Sequence, residues 1–244
     1  MKGIKKLLGI GALAFLTSVA VPKNSNARDW TADFQNTFAS KYVDNGILKD
    51  NHTVARPALR FERPLDEGNL NLSALANFDF RDGEFDRVEL GADYAFMIPE
   101  NMNFRTGYVR KLSRKNDSWK GLDVFLGRAT FDIPYQPSLE AEFNVNEGSY
   151  FGLSAQKDLC LLDGEGSCFG RTLAVGAELG YNAHAFREKT GFSHFETHLK
   201  IPITMPRSGF LSSFNGEANV RYSGALADDI RDNWVVELNL SKRL

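Results

Sequence analysis

Four side chains capable of proton or metal chemistry stand close together in one segment of the chain. His194, Glu196, His198 and Lys200 occupy alternate positions, so they would project to one side of a β-strand. Two histidines beside a carboxylate are residue types that bind transition metals or transfer protons. Alternate strand residues are about 7 Å apart, so a single ion would need ligands from other strands. The spacing therefore predicts neither a metal centre nor a catalytic group, and no cofactor is expected.

Ionised side chains recur at alternate positions in most other segments, opposite an apolar face. An unpaired charge in a dry core costs several kcal/mol, so these groups must be hydrated, paired across a cavity, or both. Eight to sixteen strands span the range from a filled interior to an open channel. The candidate pore-lining residues of such a sheet are Arg56, Arg60, Glu62, Glu89, Asp93, Arg105, Lys111, Glu140, Glu142, Glu178, Glu196, His198, Lys200, Glu217, Arg221 and Glu237.

The elements that must position these side chains are β-strands, because apolar residues recur at every second position from near Trp30 onward. Ten residues at about 3.3 Å each, tilted near 45°, rise about 23 Å, close to the apolar band of an outer membrane. The pattern predicts an all-β, transmembrane, antiparallel up-and-down β-barrel domain over 28–244. Its twelve predicted strands are 29–43, 52–63, 68–80, 87–98, 103–112, 121–131, 137–147, 149–159, 171–182, 192–205, 210–223 and 233–244.

The connections between these strands alternate in character. Those at 64–68, 99–101, 134–137 and 206–209 are short and contain proline, whereas loops such as 113–120 and 224–232 are longer and charged. Short turns on one side and long loops on the other are typical of outer-membrane barrels. Both termini fall on the short-turn side, which predicts that they are periplasmic. The predicted boundary aromatics are Trp30, Tyr42, Phe80, Tyr94, Phe96, Tyr181, Phe210, Tyr222 and Trp234, since such rings favour the lipid–water boundary.

A soluble β-sandwich is the main alternative fold, because its strands alternate in the same way with the apolar face turned inward. Three features favour the barrel: the export signal at the start of the chain, the even strand count, and the aromatic residues near strand ends. The weakest strands are the fifth and sixth, where Arg110 and Arg128 fall on the nominal lipid face. A charge at mid-membrane costs about 2–4 kcal/mol, so a bulge or a position near the interface is expected there.

The first 27 residues have the composition of a secretory signal peptide. Lys2, Lys5 and Lys6 precede an apolar run from Leu7 to Val21, and a small-x-small cleavage site ends at Ala27. A cut after Ala20 is the alternative. The whole chain has 29 basic and 31 acidic residues, and its first 27 include four lysines and no acid. The mature chain is therefore acidic, which argues against a nucleic-acid partner.

The two cysteines of the chain, Cys160 and Cys168, are separated by seven residues. In an exported protein such a pair predicts a disulfide that closes a small loop. Two free thiols are the alternative, and a lone pair at this separation fits no zinc pattern.

Several short motifs resemble the TorF-type putative porins. Ala39-Ser40-Lys41-Tyr42-Val43, then Gly46-Ile47 and Pro57-Ala58-Leu59, is similar to the opening of that family, and 72–77 and 89–94 resemble its next stretch. The resemblance covers about the first 70 mature residues. Where the family has an aromatic-Arg-Gly after the Tyr-Val pair, this chain has Asp44-Asn45-Gly46. The resemblance implies an outer-membrane barrel and supplies no catalytic residues.

The favoured hypothesis is an outer-membrane, porin-like channel for passive diffusion of small hydrophilic or ionic solutes. A plugged barrel with an internal salt-bridge network is the first alternative. An enzyme acting on lipid or lipopolysaccharide, with His194 or His198 in its site, is the second. The expected partners are small polar solutes, outer-membrane lipid and lipopolysaccharide, and a homo-oligomer is possible on this hypothesis.

Overall fold

The computed structural model describes residues 30–45, 47–98, 101–115, 118–145, 148–162, 168–184, 190–203, 205–206, 208–228 and 230–244. The predicted signal peptide, 1–27, lies outside these residues. The strands are β1 Thr31–Ala39, β2 Tyr42–Asp44, β3 Ile47–Asp50, β4 Val54–Leu65, β5 Gly68–Asp79, β6 Glu84–Ile98, β7 Met102–Lys115, β8 Ser118–Phe131, β9 Ser138–Asn144, β10 Gly148–Leu162, β11 Cys168–Ala183, β12 Gly191–Ile203, β13 Asn215–Ala225 and β14 Asn233–Arg243.

Twelve of these strands form one closed antiparallel barrel. Each strand from β4 to β14 pairs with the next along the chain, and β1 closes the sheet by pairing with both β4 and β14. β2 and β3 form a separate two-stranded hairpin between β1 and β4. The predicted fold class and the count of twelve barrel strands are therefore confirmed.

The two faces of the barrel differ as the alternation predicts. On β14, Trp234 and Val236 are 63% and 55% exposed, whereas Val235 between them is fully buried. Leu90, Phe125 and other apolar residues are exposed in the same way on the outside of their strands. An apolar exterior is the reverse of a soluble sandwich, so the barrel interpretation is the correct one.

Two predicted strand boundaries differ from the structure by four or five residues, and the others by three or fewer. The first strand ends at Ala39, because residues 42–50 turn away into the hairpin. The eleventh begins at Asn215, because Phe210–Ser213 form a short 3₁₀ turn whose Ser212 hydroxyl donates to the carbonyl of Gly209. The predicted tight turn at 206–209 is therefore part of a longer connection.

The barrel has two distinguishable ends. The end carrying Thr31, Arg243 and the β4–β5 turn is called here the terminal end, and the end carrying the β1–β4 hairpin is called the loop end. Of the described residues, no helix is long and apolar enough to cross a bilayer. Cys160 lies on β10 and Cys168 begins β11, but their side chains lie outside the described part of the chain, so the disulfide stays a prediction.

Candidate functional site: the barrel interior and its hairpin

The barrel places all sixteen predicted pore-lining residues on its interior face. The strand register sets, for example, Glu178 opposite Glu196 and His198 opposite Arg221. It likewise aligns Glu89 with Lys111 and Arg128 with Glu140. Arg128 therefore faces the interior, which corrects its predicted position on the lipid face. Whether these side chains contact a passing solute stays a prediction.

The β2–β3 hairpin folds into the barrel and crosses it. The side-chain amide of Asn45, at the hairpin tip, donates to Oε2 of Glu142 on β9 across 3.4 Å. β9 is the sixth strand from β1 in either direction round the sheet, so it forms the opposite wall. Sequence reasoning did not anticipate this hairpin.

Arg87 of β6 holds one side of the hairpin. Its Nη1 donates to the hydroxyl of Tyr42 at 2.5 Å and to the carboxylate of Asp44 at 3.1 Å. The guanidinium groups of Arg87 and Arg56 also lie 5.0 and 4.5 Å from the centroid of the Tyr42 ring. On the other wall, Nη2 of Arg221 donates to the carbonyl oxygen of Val43 at 3.4 Å. Arginines from two separate walls therefore fix the hairpin in the lumen.

A small apolar cluster lies beneath the hairpin. Tyr42 and Val43 pack with Ala39, Val54 and Val235, and each of the five is at most 4% exposed. These residues replace ionic side chains on the part of the wall that the hairpin covers. Because burying apolar area is favourable, the cluster stabilises the inward position independently of the ionic contacts. The prediction that Tyr42 lies at the lipid boundary is therefore wrong.

The carboxylate of Asp44 is buried within a group of cations. Burial alone would raise its pKa, but Lys111, Arg87 and Lys49 together lower the pKa from 3.8 to about 2. Burial, followed by the charge of Asp44, raises the pKa of the Tyr42 hydroxyl. The docked hairpin therefore contains an ionised carboxylate beside a neutral phenol, and its cationic neighbours stabilise that charge.

Interior charges separate into two arcs. Bases predominate on β4–β8 and acids predominate on β9–β14, although some residues of the opposite sign occur in both. The interior bases of β4–β8 include Arg56, Arg60, Arg87, Arg105, Lys111 and Arg128. The interior acids of β9–β14 include Glu140, Glu142, Glu178, Glu196, Glu217 and Glu237. The lumen is therefore more acidic on the β9–β14 side, although acids such as Glu89 and Asp93 lie among the bases, and Lys200 and Arg221 lie among the acids.

Ion pairs join many of these side chains. Arg105 donates two hydrogen bonds to the Asp93 carboxylate, at 2.6 and 2.5 Å. Arg221 lies 3.3 Å from both Glu196 and Glu237. Ion pairs thus fix charged side chains on the barrel wall, both beside the hairpin at Arg221 and nearer the terminal end at Arg105.

A water-accessible cavity of about 560 Å³ lies within the barrel between the hairpin and the terminal end. Its polar lining includes Asp33, Arg60, Ser73, Glu89 and Arg243. Asp33 stands between Arg60 and Arg243 in the strand register. The interior below the hairpin is thus hollow, and both polar and apolar residues line it.

The first histidine of the predicted histidine segment, His194, is buried. The ring of His194 is stacked on that of Tyr150, with the ring centroids 6.1 Å apart. The Ser193 hydroxyl oxygen lies 3.0 Å from Nδ1 of His194. His194 and Ser193 are each about 1% exposed, so neither is accessible to a substrate. Among the described residues, no group of three or more His, Cys, Asp or Glu side chains is arranged to hold a metal ion. This packing gives His194 a structural role.

One local signal could have identified the hairpin. Asn45-Gly46 lies between short apolar segments, and Asn-Gly is a strong indicator of a two-residue hairpin turn. Asn45 has a φ of 49°, in the left-handed region that such turns require. Nothing in the local pattern indicates that the hairpin turns inward, because that depends on partners contributed by distant strands.

The fold and interior define a class of protein: a closed up-and-down barrel with an apolar exterior and an ionic lumen, the architecture of outer-membrane channels. The chain is similar in structure to an outer-membrane channel, COG4313, from Pseudomonas putida F1, with a TM-score of 0.53 and 11% identity over 93% of this chain and 100% of that one. It is also similar to the NanC porin, with a TM-score of 0.50 and 9% identity over 87% of this chain and 100% of that one. At these identities the likeness shows the fold.

Comparison by sequence gives no family assignment. No family model matches the chain, and no curated protein matches it. The resemblance to TorF-type porins stays a prediction.

Proposed function

We propose that this protein is an outer-membrane, porin-like channel for passive diffusion of small hydrophilic or ionic solutes. The observation that carries the proposal is the hollow, ionic interior beneath an apolar exterior, narrowed by a hairpin that reaches the opposite wall. Solutes would pass beside the hairpin, between the two charged arcs. In this proposal the loop end faces outward and both termini are periplasmic. Contact with outer-membrane lipid and assembly into a homo-oligomer are further expectations.

A plugged structural barrel is the second candidate, because the hairpin that would narrow a pore could also close it. Its ionic and apolar contacts on three walls favour a fixed position. The two candidates differ in the conductance of the intact protein. The enzymatic alternative has less support because Ser193 and His194 are buried.

Planar bilayer recording tests both candidates with one matched pair of proteins. The first is the mature chain, and in the second a short Gly-Ser linker replaces residues 41–50. A channel predicts discrete conductance steps in the intact protein and larger steps without the hairpin. A plug predicts a silent intact protein that conducts only after the deletion. If both insert and neither conducts, the channel proposal is refuted.

The charged arcs predict the direction of selectivity changes. Replacing Arg56 and Arg60 together by glutamine removes two interior positive charges, so the preference for cations should rise. The reversal potential in a salt gradient measures this preference. Arg63→Gln is the control, because Arg63 is on the same strand but has the exterior parity, with its guanidinium 5.9 Å from the Trp30 ring centroid. An equal shift in the control would contradict an interior location for the tested pair.

A further inference from the structure

A polar group interrupts the apolar exterior of the barrel on β7 and β8. Arg110 is opposite Asp123 in the register, and Nη1 of Arg110 lies 3.4 Å from Oδ1 of that carboxylate. The Tyr108 hydroxyl donates to the same oxygen at 2.5 Å. The Arg110 and Asp123 side chains are 53% and 38% exposed. Because exterior charge is unfavourable within the hydrocarbon region, this group favours a position at the level of the lipid headgroups.

The Arg110 side chain is directed toward the loop end. A Cβ atom at Gly121 would lie only 3.1 Å from Nη2 and 3.4 Å from Nε of Arg110. Gly121 is nearer the loop end of β8 than Asp123 is, so the guanidinium extends over the glycine in that direction. Asp123 already accepts from Tyr108 and contacts Arg110, whereas a guanidinium has five N–H donors. Arg110 therefore has donors to offer to an external anion.

An apolar trough begins below this polar group, on the side toward the terminal end. Its volume is about 640 Å³. Gly127, Ala129 and Ala141 line its floor, and larger side chains including Phe143 and Phe151 line its sides. No atom lies within 4 Å of a Cβ built at Gly127. The glycine thus leaves the trough open.

Aromatic side chains connect the two features. The Tyr108 and Phe125 rings are 5.5 Å apart, Phe125 pairs with Phe143, and the Phe143 and Phe151 rings are 5.9 Å apart. Aromatic rings therefore lie between the polar group and the apolar trough. A polar group followed by an apolar trough matches a lipid, which has an anionic head and an attached acyl chain.

We propose that this face binds one molecule of a lipid A-type lipid, with a phosphate on Arg110 and an acyl chain in the trough. Charge complementarity between Arg110 and phosphate favours an anionic lipid, since arginine binds phosphate through paired hydrogen bonds. The choice of lipid A rests on the proposed orientation, because the loop end then faces the outer leaflet.

Lipid retention in native mass spectrometry tests the proposal on the full mature protein in detergent. Titration with Kdo-containing lipid A should give one saturable bound molecule. Arg110→Gln should weaken this binding about tenfold, the loss expected for a charged hydrogen bond. Gly127→Leu should block the trough and give a loss of similar size, and the open space around Gly127 predicts that this variant folds.

Two control variants change matched residues on other parts of the exterior. Arg63→Gln removes an exterior arginine at the terminal end, and Ala76→Leu adds a leucine to the exterior face of β5. Both should retain lipid as the unmodified protein does. Equal losses in the controls, or equal binding of phosphatidylglycerol, would overturn the proposal. Bilayer conductance of the same variants is a separate readout, so failure of the lipid site and failure of the channel are distinguishable.

Discussion

Asp44→Asn should release the hairpin from the lumen for a much larger fraction of time. The substitution keeps the size of the side chain but removes the charge that Arg87 and Lys111 stabilise. A pKa of about 2 in place of 3.8 corresponds to about 2 kcal/mol in favour of the ionised, docked form. The population of undocked hairpin should therefore increase by a factor on the order of tens.

The same charge predicts how docking depends on pH. Because the docked state lowers the pKa of Asp44, its contribution is fully present above pH 3.8 and is lost as the pH falls through about 2. Wild type and Asp44→Asn should differ by a constant amount from pH 7 to about pH 4. Below that range the difference should shrink, because the wild-type carboxyl becomes neutral as well. The other lumen carboxylates titrate in both proteins, so their effect on docking cancels when the two pH dependences are subtracted.

Single-channel recording in planar bilayers measures this prediction through the frequency of transitions to the larger conductance of the hairpin-deleted protein. Asp93→Asn is the matched control, since Asp93 is an interior carboxylate paired with Arg105 and is remote from the hairpin in the structure. That control should leave the transition frequency unchanged. If Asp44→Asn shows the wild-type frequency at pH 7, the ionic contact does not hold the hairpin and the reasoning is refuted.

Two further predictions concern the wall of the barrel. Gly180→Val should destabilise the barrel by about 1–3 kcal/mol, because a Cβ there would lie 2.4 Å from the His194 ring and 2.7 Å from the Tyr150 hydroxyl. The temperature at which the folded band disappears on unboiled gels measures this loss of stability. Unchanged heat resistance would contradict the packing. Cys160 and Cys168 should resist alkylation until a reductant is added, as mass spectrometry would detect, and labelling of the unreduced protein would contradict the disulfide.

The sequence predicts the wall of the barrel far better than its contents. Strand parity is a local property, so the interior position of residues such as Glu178 and Lys200 follows from alternation alone. Alternation places Arg128 on the wrong face because β8 carries apolar Leu122, Val124 and Leu126 on its interior face. Two faces that are both partly apolar give no clear alternation.

The hairpin could not be placed from sequence because its partners are distant along the chain. The Tyr42-Val43 pair has the composition of a strand continuing toward the lipid boundary, and the first strand was accordingly extended to 43. What turns it inward is an arginine on β6, an arginine on β13 and an apolar patch completed by Val235. Those groups come together only when the barrel closes.

Closure of the barrel also determines what kind of constriction the hairpin makes. Arg87 and Arg221 lie on different walls and both contact β2, while the hairpin tip reaches an acid, Glu142. A solute passing on one side meets mainly the bases of β4–β8, and one passing on the other meets mainly the acids of β9–β14. Because fields between unlike charges are strongest where water is scarce, a hairpin in this position orients polar solutes as well as limiting their size. Moving the hairpin without altering either arc should therefore reduce ion selectivity and increase conductance together, whereas a simple steric plug would change conductance alone.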